Sequence, residues 1–575
     1  MDVQAHQLTA PDTAGDGRAK WWWIGLGLIL LLGLLLRLKG IHDPILDHPG
    51  WRQGDTASIA RNFARLQFNV MYPQTTYNGP PPHYVELELQ IVPFLAASLY
   101  KLFGVHPIFG RLISIAFGLG TIGVLALFGR WLFSSRAAGL IAAFFFAVLP
   151  GSVYYGRTFT PDGAMVFFLT AALYACARFL DEDQTLAPRA LARVTALLTF
   201  AYLAKPVAVV ALLPLATMAW ERARSGKPTR ATAIGVLIVV PLLVLWLYDR
   251  RVASYAEWHW ASGITQLHVL PSLRAALTHP GAFFDKLRDF ATALGLFRDT
   301  IAGSLAFLLS ILAFLALPRI EMRSRTLLWA WLATGIVYAY VVVTVERVDY
   351  YLLLLLPLCT LALGGALARF VALVLDAEVM PPARYAVLAA VAAVALAVLV
   401  QSRSAAAPYY RYSKATYANA VLLARTLPPG ALVVIGHYGP DVQYYIDRFG
   451  WEEDPAVWTP FDEESAIAKG SRYFISIEDA RLHRDNPELC AWLSRFALLP
   501  SRSAWPVYLT DPRLVRPGAQ AFWRGYRRAE QNGAGRAYLD AHRVCLLPGQ
   551  LPTTRKVSSA FKRASGGTTT PPRNG

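Results

Sequence analysis

Asp55 is the residue of this sequence best placed to take a proton. It lies in a polar segment, 48–63, that reads HPGWRQGDTASIARNF and follows the first apolar run. So polar a segment at the end of a membrane helix is not expected for packing, and its carboxylate could act as a general base, with Arg52 nearby. The alternative is that Asp55 caps a helix that begins near Thr56.

Glu86, Glu88 and Asp162 are the other acids expected on the same side of the membrane. Glu86 and Glu88 lie in the polar stretch after the first segment. Either could be the second acid of a site, with Glu86 slightly favoured, or both could be solvated loop acids. Asp162 follows Pro161 and could cap a helix, act directly in the chemistry, or orient Arg157.

Lys205, Arg157 and Arg347 are the cations most suited to binding a phosphate. Each falls at the end of a predicted helix, where it could meet an anion or simply extend to the membrane surface. Lys205 is the strongest candidate of the three. It stands with Pro206 between two short apolar runs, where a charge is costly unless an anion accompanies it.

The composition is that of a polytopic membrane protein. Of 575 residues, 55% are hydrophobic and 16% are charged, and the mean hydropathy is +0.37. The net charge of +17 comes from Lys and Arg between the apolar runs and in the C-terminal part. Membrane topology explains this distribution, which argues against nucleic-acid binding. Cys490 and Cys545 could form a disulfide if their segment is extracytoplasmic.

The apolar runs predict about eleven transmembrane helices, within a range of about 11–13. A polar tail, 1–20, would lie in the cytoplasm, since Arg18 and Lys20 come directly before the first run. An odd number of spans puts the C-terminal part outside, in agreement with the basic loops. The predicted spans are 21–38, 107–132, 137–154, 163–180, 190–204, 206–220, 231–248, 299–317, 327–345, 350–373 and 384–401.

Two of these runs, 190–204 and 206–220, are short and permit a second interpretation. They could form a broken or re-entrant pair without changing the side on which the chain emerges. A further apolar piece, 89–104, contains Pro93 and Lys101. It is predicted to be a helix that lies along the membrane surface.

These predictions divide the chain into domains. A transmembrane domain, 21–401, has an outer loop, 41–106, that carries Asp55. Strand-like runs alternate with helical patterns over 402–552, which predicts an extracytoplasmic α/β domain. The last stretch, 553–575, is rich in Ser, Thr, Gly, Pro and basic residues and is predicted to be disordered.

A set of short motifs, taken in order, resembles the GT-C superfamily of integral-membrane glycosyltransferases. The chain is most similar to bacterial relatives of the protein O-mannosyltransferases and of the lipid A aminoarabinose transferase. The resemblance extends over residues 20–400. The motifs are WRQGDT at 51–56, ELE at 86–88, TPD at 160–162, Lys205-Pro206, and DYY at 349–351 before Pro357.

The resemblance implies an enzyme that takes a sugar from an undecaprenyl- or decaprenyl-phosphate carrier. The acceptor would be a lipid, a glycan or a protein. Transfer would take place on the periplasmic face of a bacterial inner membrane and would invert the configuration of the anomeric carbon. Asp55 would be the general base, and Glu86 or Glu88 would help to orient the acceptor or a metal. The supporting residues would be Arg52, Asp162, Tyr350 and Tyr351.

The same resemblance leaves the cofactor and the specificity open. His259, between Trp258 and Trp260, could bind a divalent metal with an acid of the first outer loop, or be an interfacial side chain. The Glu-Lys-Pro pattern of the aminoarabinose transferases does not occur here, which argues against aminoarabinose as the sugar. The alternatives are a transporter or flippase of lipid-linked sugars, and a ligase or polymerase of carrier-linked oligosaccharide.

Overall fold

The chain forms two compact units. A computed structural model describes residues 13–181, 187–225, 231–376 and 381–546. The first unit comprises Met1–Thr75 and Pro82–Ser413, and the second comprises Thr76–Pro81 and Lys414–Gly575. The first helix begins at Thr13, inside the predicted polar tail, and the last helix of the first unit continues to Ala406, past the predicted boundary at 402. The predicted tail over 553–575 lies outside the described residues.

The first unit is helical because long apolar runs can satisfy their backbone hydrogen bonds within a membrane only as helices. Three-residue to six-residue π and 3-10 turns interrupt or extend several of these helices. The helices are α1 (Thr13–Arg37), α2 (Gly50–Arg65), α3 (Ile91–Phe103), α4 (Ile108–Leu132), α5 (Arg136–Val148), α6 (Pro150–Tyr155), α7 (Asp162–Asp181), α8 (Pro188–Ala204), α9 (Leu212–Arg224), α10 (Ala231–Ala253), α11 (Ala261–Gly263), α12 (Leu270–Thr278), α13 (Pro280–Leu296), α14 (Ser304–Ala316), α15 (Arg325–Tyr338), α16 (Leu356–Asp376) and α17 (Pro381–Ala406).

Small residues bring α5 close to its neighbours α4 and α16. A Cβ atom added to Gly139 of α5 would come 2.2 Å from the carbonyl oxygen of Ala126 in α4. One added to Gly364 of α16 would come 2.5 Å from the carbonyl oxygen of Ala138. Such close approach is typical of membrane helices, whose association depends on van der Waals contact. These three helices form the packed framework from which the polar helix ends project.

Every predicted span coincides with a helical segment. Among the described residues, eight helices are long and apolar enough to span a membrane, and α13 with α14 would add a ninth, bent by 108°. Shorter segments are α5, α8 and α14, of 13, 17 and 13 residues. The predicted runs 137–154 and 299–317 each continue through a break in the helix, so an apolar run does not show where its helix ends.

Two helix breaks position polar residues. Helix α8 ends at Ala204, and Lys205 is extended, with φ −165° and ψ 122°, before a 3-10 helix over Pro206–Ala211. Proline explains this break, because it removes an N–H donor and disfavours helical backbone in the residue before it. A second 3-10 helix, Asp349–Leu355, precedes α16. Charged side chains are therefore presented where the apolar runs stop.

A short parallel strand pair lies beside α2 and α3. Strand β1 (Val85–Glu86) pairs with β2 (Trp258–His259), with Glu86 opposite His259. Val85 and Leu87 pack into an apolar cluster with side chains of α2 and α3. Because side chains alternate along extended chain, Glu86 and Glu88 project from the other face.

The second unit has the predicted α/β architecture. Its strands are β3 (Leu432–Gly436), β4 (Gly450–Glu453), β5 (Ser471–Ile475) and β6 (Val507–Leu509). The sheet order is β4-β3-β5-β6, with β6 antiparallel to β5 and the other pairs parallel. The helices are α18 (Lys414–Thr426), α19 (Pro440–Ile446), α20 (Pro460–Ala468), α21 (Asp479–Asp485), α22 (Pro487–Leu493), α23 (Ala519–Gln531) and α24 (Gly535–Ala541).

Cys490 and Cys545 are joined by a disulfide across 55 residues of the second unit. Closing a loop of that length is expected to stabilise the unit by about 4 kcal/mol, mainly by restricting the unfolded chain. Replacing both cysteines with alanine should therefore lower the unfolding midpoint of this unit, measured by denaturant-dependent proteolysis of the full chain. Cys176→Ala and Cys359→Ala provide controls, since both are buried free thiols. A midpoint that does not move would contradict the pairing.

Candidate active site

Asp55 lies within a helix, and neither the loop nor the cap predicted from the sequence is correct. Helix α2 begins at Gly50, with Pro49 as its N-cap, so Asp55 is well inside it. Its side chain is 1% exposed and accepts a hydrogen bond of 2.7 Å from Arg52, one turn earlier. The helix therefore holds an acid and a cation side by side on one buried face.

Arg52 joins Asp55 to a second acid, and that acid is Glu88. The guanidinium donates through Nη1 to Asp55 and through Nη2 to Glu88, which is 36 residues away in sequence. Arg52 and Glu88 are 8% and 7% exposed. The guanidinium of Arg52 therefore bridges the two carboxylate groups. Two acids and one cation thus form a compact buried group.

Glu86, the acid that the sequence slightly favoured, has different partners. It accepts hydrogen bonds from the backbone N–H and the hydroxyl of Ser262, the latter at 2.6 Å. His259 Nδ1 lies 3.4 Å from its carboxylate. Burial raises the pKa of the Glu86 carboxyl, and the adjacent Asp249 raises it further, against the hydrogen bonds from Ser262. Glu86 therefore belongs to a separate acid group beside Arg52, Asp55 and Glu88.

Lys205 pairs with Asp162 in a second charged group. Its Nζ is 2.5 Å from Asp162 Oδ1, and the two side chains are 9% and 0% exposed. The ammonium also lies over the ring of Tyr351, 4.2 Å from its centroid, and 5.2 Å from that of Tyr350. The sequence suggested that Asp162 orients Arg157, but the break at Pro206 brings Lys205 to it.

Arg52 connects the two charged groups. Besides its bound carboxylates, it interacts electrostatically with Tyr350 and Asp162. Tyr338, at the end of α15, is within electrostatic reach of Asp162, Tyr350 and Tyr351, and its buried hydroxyl has no hydrogen-bond partner in the described part of the chain. This tyrosine was not predicted from the sequence, because a tyrosine in an apolar helix more often serves packing than polar chemistry. Acids, cations and tyrosine hydroxyls therefore converge on one region, the site end of the first unit.

The structure does not bring Arg157 and Arg347 together with Lys205. Arg157 is fully buried, is paired with Asp47, and lies over Tyr410 at 4.4 Å. Arg347 is 64% exposed and pairs with Asp289 at 2.9 Å. Arg157 is held in a buried ion cluster, and Arg347 in a surface pair. Their proposed phosphate role stays a prediction without geometric support.

Asp349 is the centre of a hydrogen-bond network that was not predicted from the sequence. Asp349 is 5% exposed and accepts hydrogen bonds from Tyr155, at 2.6 Å, and from Tyr409. His48 Nε2 is 2.9 Å from the Tyr155 hydroxyl and 3.5 Å from Asp349. The network ties the 3-10 helix that carries Tyr350 to α6 and to the segment before α2. It positions the site without contacting Lys205 or Asp55.

The proposed metal has few ligands in this arrangement. Within the described parts of the chain, no group of three His, Cys, Asp or Glu side chains has the geometry to hold an ion. Glu86 and His259 provide two donor atoms 3.4 Å apart, whereas a protein-bound catalytic zinc ordinarily has three protein ligands. These residues do not make a metal centre by themselves, and no step of the chemistry below depends on one.

The different partners of Glu86 and Glu88 lead to a test. Glu88→Gln should slow turnover more than Glu86→Gln, by about tenfold or more, because only Glu88 shares Arg52 with Asp55 and a bond to a charged group is worth about 1.5–3 kcal/mol. The measurement is the initial rate of the catalysed reaction, determined for purified variants at equal concentrations of folded protein. A larger loss in Glu86→Gln would show that the Ser262 and His259 side of the pocket carries the chemistry.

Comparisons with known proteins agree with this architecture. Residues 90–248 match a family model described as dolichyl-phosphate-mannose-protein mannosyltransferase. This segment contains Asp162 and Lys205 and ends before β2. No curated protein sequence is similar enough to this chain to count as a match.

Solved structures extend the likeness to most of the chain. The oligosaccharyltransferase AglB from Archaeoglobus fulgidus, in complex with an inhibitory peptide and a dolichol-phosphate, superposes with a TM-score of 0.56 at 13% identity. That match covers 87% of this chain and 75% of AglB. ArnT from Cupriavidus metallidurans, bound to undecaprenyl phosphate, gives 0.53 at 13% identity and covers 87% of this chain and 99% of ArnT. The chain therefore has the GT-C fold, the fold of these integral-membrane glycosyl-group transferases.

Proposed function

We propose that this protein is a glycosyltransferase that moves a sugar from a polyprenyl-phosphate carrier to a hydroxyl-bearing acceptor. The observation that carries the proposal is a pair of buried charged groups: Arg52 with Asp55 and Glu88, and Lys205 with Asp162. Buried charges are costly and are retained where they meet a charged substrate. Solved proteins of the same fold hold dolichol-phosphate and undecaprenyl phosphate.

The proposed reaction is a single displacement at the anomeric carbon of the sugar. Asp55 takes the proton of the acceptor hydroxyl, whose oxygen forms a bond to that carbon. The bond from the carbon to the phosphate oxygen breaks, and its electron pair leaves with the carrier phosphate. Lys205 stabilises the negative charge that develops on this phosphate. Attack opposite the departing phosphate inverts the configuration.

Neighbouring groups hold the base and the cation in position. Arg52 donates a hydrogen bond to Asp55 at 2.7 Å and holds it near Glu88. Asp162 orients the Lys205 ammonium, and Tyr351 lies under it at 4.2 Å. The hydroxyl of Tyr338 is available to donate to the phosphate. A charged group pre-arranged in a site of low dielectric stabilises a transition state more than one in water does.

The acceptor supplies a hydroxyl group to the proposed reaction. A lipid, a glycan or a protein all present hydroxyls, and the site chemistry does not distinguish them. The paired acids and cations of the site lie where the apolar runs stop, which favours a transferase working at the membrane surface over a transporter, whose charges are expected near the midplane. A ligase of carrier-linked oligosaccharide would share the chemistry and differ only in the length of the donor glycan.

Two measurements test the function. Purified protein in lipid nanodiscs should release polyprenyl phosphate from a matching carrier-linked monosaccharide when an acceptor extract is added. A strain that lacks the protein should accumulate that carrier-linked sugar and lose one residue from a surface glycan, glycolipid or glycoprotein. Transport of an intact carrier-linked sugar across vesicles, without release of carrier phosphate, would exclude transferase activity.

The site end is proposed to face outside. Reporter fusions inserted at Gly79 and after Tyr410 should both report an extracytoplasmic position, because basic residues concentrate in the loops of the opposite end. The readout is a phosphatase that is active only outside the cytoplasm, compared with a reporter that is active only inside it. A cytoplasmic signal at either position would reverse the proposed orientation.

A further inference from the structure

An apolar cleft runs along one side of the first unit, away from the charged groups. A cavity of about 620 Å³ opens between α1, α5, α14, α16 and α17. Its lining is entirely apolar and includes Ile29, Phe144, Phe370 and Val391. Only 6% of the most apolar stretch of α17 is buried, compared with 50% for the span that contains α16. Helix α17 therefore stands off from the bundle and leaves room for a hydrocarbon chain.

A second cavity, of about 270 Å³, lies nearer the site end and has a cationic lining. It lies between α1, α5, α6 and α17 and is lined in part by Lys39, Ser402 and Arg403. The α17 residues that line the two cavities share one helical face, because each lies three or four residues from another of the set. They are Val387, Ala390, Val391, Val394, Ala395, Leu399, Ser402, Arg403 and Ala406. An apolar slot with two cations at one end is therefore built into one surface.

Ser402 gives independent evidence for a polar ligand at the cationic end. Its side chain is 3% exposed and lines the smaller cavity, and its hydroxyl has no hydrogen-bond partner among the residues that the structure describes. Within the described part of the chain, neither Lys39 nor Arg403 is paired with a carboxylate. Lys39 lies over the ring of Tyr410 at 4.2 Å. An unpartnered buried hydroxyl beside two uncompensated cations fits a phosphate oxygen.

The dimensions agree with one leaflet of a membrane. Ile29 of α1 lines the apolar cavity, and Lys39 lines the cationic one. The helix from Ile29 to its end at Arg37 rises about 12 Å, which is somewhat less than half the thickness of a bilayer's hydrocarbon core, about 30 Å. Tyr410 contacts Arg157, and its neighbour Tyr409 contacts Asp349. The cationic end therefore lies at the same membrane surface as the site end.

We propose that this cleft binds an anionic phospholipid of that leaflet. The phosphodiester lies between Lys39 and Arg403 and accepts a hydrogen bond from Ser402, and one acyl chain fills the slot along α17. This site is separate from the proposed donor site, whose cations are Lys205 and Arg52. Bound lipid would hold α17 against α1 and α5.

Native mass spectrometry of the full chain with added phosphatidylglycerol or phosphatidylcholine tests the proposal. The intact protein should bind phosphatidylglycerol in preference, and the double variant Lys39→Ala with Arg403→Ala should lose that preference by roughly fivefold for each cation removed. Lys20→Ala is the matched control, since it removes an exposed lysine from the opposite end of the same helix. It should leave the preference unchanged.

A second variant separates the slot from the cations. Ala390→Phe should fill the apolar cavity and weaken the binding of both lipids, while leaving the ratio of the two affinities unchanged. Equal binding of the two lipids by the intact protein would overturn the proposal, as would a double variant that behaves like Lys20→Ala. Displacement of the lipid by inorganic phosphate alone would show a site for a free anion and would also overturn it.

Discussion

Asp55→Asn is expected to slow sugar transfer at least about a hundredfold while leaving donor binding unchanged. Asparagine keeps the shape of the side chain and retains an oxygen that can accept the hydrogen bond from Arg52. It cannot accept the acceptor's proton. Arg52 stays paired with Glu88, so no buried charge is abandoned. The measurement is single-turnover transfer by purified protein together with donor affinity.

Asp285→Asn serves as the control for this substitution. Asp285 lies in α13, its side chain is 72% exposed, and its ion pair with Arg288 is 3.8 Å long. Such a surface pair contributes little, so transfer should stay normal. Near-normal transfer by the Asp55→Asn variant would show that Asp55 only positions Arg52. The general base would then have to be sought at Glu88, which binds the same guanidinium.

Lys205→Ala is expected to weaken donor binding by about tenfold to a hundredfold, the range of a hydrogen bond to a charged group. Lys205→Arg should recover part of the affinity, because the charge is kept while its geometry changes. The measurement is binding of polyprenyl-phosphate sugar, and of polyprenyl phosphate alone, to protein in nanodiscs. Both ligands should lose affinity, since the phosphate is the group that Lys205 contacts.

Removing Lys205 also leaves Asp162 buried and unpaired, which could cost about 3–5 kcal/mol of stability. The double variant Lys205→Ala with Asp162→Asn removes the stranded charge and should fold normally, yet still bind donor weakly. Arg347→Ala provides the comparison, because its partner is a surface aspartate and donor affinity should not change. Two results would contradict this role of Lys205. One is an unchanged donor affinity in the Lys205→Ala variant, and the other is an equally large loss of affinity in the Arg347→Ala variant. Either would show that another cation binds the phosphate.

Helix positions could be predicted from the sequence. A helix in lipid satisfies its backbone hydrogen bonds internally, so it requires only a local run of apolar residues. The break at Lys205-Pro206 was visible for the same reason, since proline acts on its own backbone and on the residue before it. The ends of α5 and α14 were not, because both helices are shorter than the apolar runs that contain them. A run of apolar letters does not show where its helix bends.

The membrane architecture and the α/β unit could be predicted from the sequence, because they follow from local composition and periodicity. The candidate site residues were predicted from short motifs and the family that these resemble. Which charges pair became clear only in the folded molecule. Arg52 reaches Glu88 across 36 residues, and Lys205 reaches Asp162 across 43. Arg157 and Arg347, the other two candidate cations, pair with Asp47 and Asp289. A charge pair forms where packed elements bring two side chains within a few ångströms, and no spacing along the chain encodes that distance.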